Sequence, residues 1–200
     1  MASKIKVDQI QTGDGTGTIA LQNQLSGMTT ASMPAGSVLQ VVNAMIPTFN
    51  STTSTSFVPS SITASITPTS TSSKILIKMN VYMVGQKGSF CVGRLYRGIG
   101  GSFSDLTGAR SNNTVANEGT LTSGFITSIY NPVDTHHEHF HTTESGEYLD
   151  SPNTTSASTY TLYYRARSGN TAYINRASGG TGSDHHAYGI SSVTLMEIAG

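Results

Sequence analysis

KILIKMNVYMVG, residues 74–85, decides the fold of this 200-residue chain. Ile75, Ile77, Met79, Val81 and Met83 alternate with Lys74, Leu76, Lys78, Asn80 and Tyr82. A repeat of two sends neighbouring side chains to opposite faces of a strand, whereas a helix would space its apolar residues three and four apart. One face here is wholly apolar and the other carries two lysines and an asparagine. That is a strand with one side on a core and the other toward water.

The same alternation extends outward on both sides. Upstream, SFVPSSITASITP places Ile62, Ala64 and Ile66 in period two, and SVLQVVNAMI (Ser37–Ile46) is a long, mostly apolar strand. Downstream, Gly85-Gln86-Lys87-Gly88 reads as a hairpin turn into SFCVGRLYRGI, Ser89–Ile99. GSFSDLTGARSNNTVANEG is a long polar loop with room for one short strand. LTSGFITSIYN, the histidine-rich run after it and EYLD are candidate strands, with TTESGE read as loop. STYTLYYRARS sets Tyr160, Leu162, Tyr164 and Ala166 against Thr161, Tyr163, Arg165 and Arg167, and TAYINR reads as its hairpin mate across Gly169-Asn170. SSVTLMEIAG closes with Val193, Leu195 and Glu197 on one face, Thr194, Met196 and Ile198 on the other. Eight to ten short strands with turns between them predict an all-β fold, an antiparallel β-sandwich of jelly-roll type. An immunoglobulin-type sandwich is the second option, but the chain has no Trp and a single Cys.

Composition agrees with this and excludes several functions. Ser and Thr together exceed a quarter of the chain, with 21 Gly, and charged residues are only 11% at zero net charge. Threonine favours strands, and serine and glycine favour the turns between them. Without a basic stripe no nucleic-acid partner is expected, and without a run of about 20 apolar residues no membrane insertion. MASKIKVDQIQTG has charges but no apolar stretch behind it, so no secretory signal is expected either. Cys91, the sole cysteine, rules out an intramolecular disulfide framework. Alternation in SFCVGRLY makes it a buried strand thiol, with Arg94 its only basic neighbour.

Residues 1–27 form a separate arm. KIKVDQIQTGDGTGTIALQNQLSG gives two short extended pieces around Gly13-Asp14-Gly15, too small and polar to make a core. Such an arm either stays floppy or packs against something else, a sister chain or a larger assembly. Residues 28–36 are a small-residue linker containing Pro34 and Gly36, and residues 37–200 form the head.

Three stretches resemble one family. SKIKVDQIQTGDGTG is similar to the virion-attachment ends of tailed-phage fibre proteins, which open with K-x-K-V-D-x-I. GSVLQVV followed by SSITASITPTSTSSKILIKMNVY resembles the opening of a domain found at the C-termini of phage fibre and virion proteins, with its I-T-P-x-S-x-S-S-K-I-L. YLDSPNTTSASTYTLYYRARSGNTAYINR and SSVTLMEIAG are similar to that domain's end, with L-D-S-P, T-T-S-A-x-T-Y and a final S-x-x-T-L-M-E-I. The resemblance implies a homotrimeric fibre or knob with a β-sandwich head. It implies Lys4, Ile5, Val7 and Ile10 as virion-attachment residues, other virion proteins as partners, and a virion assembled in the host cytoplasm. The head would adhere to a host cell-surface glycan or protein, or else serve as non-binding capsid or tail decoration.

Six histidines are the remaining chemistry, four of them in VDTHHEHFHTTESG and two in SDHHAYG. On a strand His137, His139 and His141 share a face, spaced so that two imidazoles can reach one ion. In a trimer three such strands could supply six nitrogens at the axis, a set suited to a transition metal such as iron, nickel or cobalt. The alternative is a polar surface strand or an intersubunit seam with satisfied histidines. Asp184-His185-His186 lies in a glycine-rich loop. Ser145 or Ser183 with these groups would need a nucleophile elbow, and the sequence has no G-x-S-x-G. Glu138, Glu144, Glu147, Asp150 and Asp184 are ordinary solvated carboxylates rather than a glycosidase pair, so no enzyme activity is expected. Tyr160, Tyr163, Tyr164 and Tyr173 are core and cross-strand rings before they are sugar platforms.

Overall fold

The computed structural model describes residues 33–86, 88–110, 123–128, 142–167, 169–177 and 188–200. The arm residues Lys4, Ile5, Val7 and Ile10, and all the histidines including His137, His139 and His141, lie outside the described residues. Pro34–Gly200 makes its contacts as one unit. One antiparallel sheet holds β1 (Val38–Ile46), β2 (Asn50–Thr52), β4 (Lys74–Gly85), β8 (Thr142–Asp150), β10 (Ala172–Ile174) and β11 (Ser191–Ile198). The other holds β3 (Val58–Ile66), β5 (Cys91–Ile99), β6 (Ser102–Asp105), β7 (Ile126–Thr127) and β9 (Ser158–Ala166). The two pack face to face as a β-sandwich.

The sequence periods become the core directly. Ile75, Ile77, Met79, Val81 and Met83 of β4 are all at most 1% exposed. They meet Ile62 and Ile66 of β3, Cys91 and Leu95 of β5, and Tyr160, Leu162 and Tyr164 of β9 in one cluster. Val193 and Leu195 of β11 complete it. Fully burying each such aliphatic side chain contributes about 1.5–3 kcal/mol.

Two hairpins expected from the sequence do not form. Gly85-Gln86-Lys87-Gly88 does not return the chain alongside β4, because both edges of β4 are already taken. β8 pairs with one edge from Ile75 to Met83, and β11 and then β10 with the other. The chain therefore crosses to the opposite sheet, where β5 finds β9. Ala172–Ile174 is likewise no mate for β9, whose edges are filled by β3 and β5. It crosses back to lie between β4 and β2. The stretch TTESGE is also strand rather than loop, since Thr142–Gly146 pairs with Met79–Met83. The long polar loop does contain a short strand, β6, joined to β5 through Gly100-Gly101. Both glycines have positive φ (59° and 86°), a conformation that costs a residue with a Cβ far more.

Three buried polar residues tie distant parts of the sandwich together. Glu197, fully buried in β11, accepts from the Thr69 N–H at 2.6 Å, the Thr69 hydroxyl at 2.7 Å and Gln40 Nε2 at 2.6 Å. Burial opposes its charge, but the hydrogen bonds from Gln40 and Thr69 outweigh burial and hold its carboxyl below the usual range. Asp150, at the end of β8, accepts from Arg97 Nη1 at 2.8 Å and the Tyr160 hydroxyl at 2.8 Å. Arg97 and Tyr160 belong to the other sheet, so this group bolts the two layers. Burial, then the Asp150 charge, pushes the Tyr160 phenol far up, and it stays a donor. Asn175, in the left-handed region at φ 61°, donates to the carbonyls of Ile46 at 2.7 Å and Thr48 at 2.8 Å. Its Oδ1 accepts from the Ser191 hydroxyl at 2.5 Å.

Candidate functional site

The residues singled out from the sequence are dispersed by this fold. Glu144 and Glu147 fall on opposite faces of β8, so they do not form a carboxylate pair. Asp150 is consumed by the inter-sheet bolt, and Ser145 has none of the described residues arranged around it as a catalytic set. Glu138, Ser183 and Asp184 lie outside the described residues, as do His185 and His186. Among the described residues no group of three or more His, Cys, Asp or Glu could hold a metal ion. Cys91 is fully buried with its thiol pushed up by burial, on the opposite face of β5 from Arg94. Tyr160 and Tyr164 belong to the core.

The second sheet's outer face is different. Cross-strand pairing sets Arg94 of β5 opposite Tyr163 of β9, Val92 opposite Arg165 and Tyr96 opposite Thr161. β6 adds Phe103 opposite Gly98 and Asp105 opposite Tyr96. All of these alternate with core residues, so they project away from the core. The result is a continuous face of rings and guanidinium groups.

Contacts along it are specific. The Tyr96 and Tyr163 rings stack at 3.9 Å between centroids, and Phe103 lies 6.1 Å from Tyr163. Phe103 lies over Gly98: a Cβ at that position would come within 2.6 Å of its ring and push it aside. Its outer surface stays open, with 43% of the residue exposed. At the other end Arg94 sits 4.2 Å above the Phe57 ring, and Arg165 is 5.8 Å from the same ring, both cation–π contacts. Asp105 Oδ2 bridges Arg94 and Arg110, each at 3.2 Å. Arg94 Nε donates to the Ser123 carbonyl and Arg165 Nη1 to that of Thr55, both at 3.0 Å. Burial, then repulsion from Arg94, lowers Arg165 below its usual value, though guanidinium remains a cation. Asp105 Oδ1 and Arg165 Nε are buried with no hydrogen-bond partner. Beside the rings, Thr63–Thr161 and Ser65–Thr159 form a ladder of hydroxyls at 2.8 and 2.7 Å.

Half of this face was legible in the sequence. Tyr163 and Arg165 fall on the polar side of a visible alternation, as do Arg94 and Tyr96. Their assembly depends on β5 pairing with β9, 69 positions apart at Arg94 and Tyr163, which no local pattern encodes. The chain matches no known family model and no curated protein.

Proposed function

We propose that this chain is a structural component of a tailed-phage particle, a trimeric fibre or knob whose head adheres to the host surface. One observation carries the reading. The stretches that resemble the phage virion domain, GSVLQVV, ITPTSTSSKIL and SSVTLMEIAG, supply Gln40, Thr69 and Glu197 respectively. These three residues meet in a single buried hydrogen-bonded knot. The three resembling stretches thus meet in the fold at one point, with Glu197 of the final T-L-M-E-I at its centre. Adhesion is supported by the ring and guanidinium face, which is more than a passive shell requires. Residues 1–27 serve as the attachment arm in this reading.

Purified phage particles test it. Immunolabelling should find the chain on the particle, and deletion of residues 1–27 should leave the head out of it. Particles lacking the head should adsorb more slowly to host cells. Absence of the chain from particles would sink the reading, and unchanged adsorption would reduce the head to decoration.

A further inference from the structure

We infer that the outer face of β5, β9 and β6 binds an acidic oligosaccharide lying along the strands. The inference rests on the adhesive reading of the head and names the class of ligand. Three of the six arginines in the chain, Arg94, Arg110 and Arg165, gather here, and among the described residues Asp105 is the one carboxylate beside them. In a protein of zero net charge that is a local positive surplus, and it is complementary to an anion. Arginine forks match carboxylates in geometry as well as charge.

The opposite end of the face has sugar chemistry. Phe103 presents a flat, open ring on which a pyranose can stack, with the Tyr96–Tyr163 pair next to it. The hydroxyls of Thr63, Thr161, Ser65 and Thr159 line its flank. Gly98 and Arg94 are four residues apart on β5, about 13 Å along the strand. That span suits a short oligosaccharide and exceeds a single sugar. Asp105 Oδ1 and Arg165 Nε are buried beneath the face, so recognition falls to the exposed edges of the guanidinium groups and to the rings and hydroxyls. A purely apolar partner would leave these charges without a mate, and a neutral glycan would leave the arginine end unused.

The test titrates the full chain with short uronate- and sialate-bearing oligosaccharides, each beside its carboxyl-reduced neutral counterpart. At least one acidic member should bind, about tenfold or more tighter than its neutral form, and added salt should weaken it. Phe103→Ala and Arg165→Ala should each weaken binding about tenfold, while Lys78→Ala on the other sheet leaves it unchanged. Arg110→Ala stands in for Arg165→Ala if the latter lowers the melting temperature. No binding across the panel, equal binding of neutral forms, or folded variants that bind like the parent would each overturn the proposal. Particle content is read separately: a chain absent from virions that still binds acidic sugars refutes the phage assignment and leaves this site standing.

Discussion

A carboxylate with no solvent exposure is tolerated only when its hydrogen-bonding capacity is met. Glu197 meets that condition with donors from two other strands' surroundings, so the charged form is the stable one. Glu197→Gln keeps the shape but loses charge-assisted bonds, and should cost about 1.5–3 kcal/mol in urea titrations at neutral pH. The folded pKa lies below the unfolded one, about 4.3. Its stabilisation is therefore complete above that value and disappears as pH falls through the folded pKa. Parent and Glu197→Gln proteins should accordingly converge in stability in acid; a difference that stays constant with pH would refute the assignment. Cys91 yields a second residue-level test. Its buried, neutral thiol should resist thiol reagents in the native state and react at the rate of global opening.

At the scale of elements, each strand's faces are set locally but its neighbours are not. The alternations in Lys74–Gly85, Ser158–Ala166 and Ser191–Ile198 divided the residues between the two faces correctly, because side-chain direction follows from the chain's own covalent geometry. They even placed Glu197 among Val193 and Leu195, although its partners Thr69 and Gln40, 128 and 157 residues away, were invisible. The two expected hairpins failed for the complementary reason. Whether a turn yields a hairpin depends on whether the strand's edges are still vacant, and strands far along the chain had filled them. Gluing such layers falls to groups like Asp150, whose acceptors serve arginine and tyrosine on the facing sheet. Asp150→Ala leaves Arg97 stranded and should cost about 3–5 kcal/mol. Replacing Arg97 by methionine in the same chain should recover part of it, as measured by denaturant midpoints.

For the molecule as a whole, the head's entry and exit are paired. Gly36 N–H donates to the Ala199 carbonyl and Ala199 N–H to that of Ser37, each at 2.8 Å. Asn175 fastens the far end, gripping the carbonyls of Ile46 and Thr48 where β1 finishes. Between these points β1 is bound to β11 through eight residue pairs. This makes the head mechanically anisotropic. A tug entering at Ser37 and resisted at the far end runs along β1, so the ladder is sheared and its bonds carry the load together. A tug that separates Ser37 from Ala199 opens the same ladder like a zipper, one pair at a time. Single-molecule pulling should thus find a much higher rupture force in the first direction than in the second.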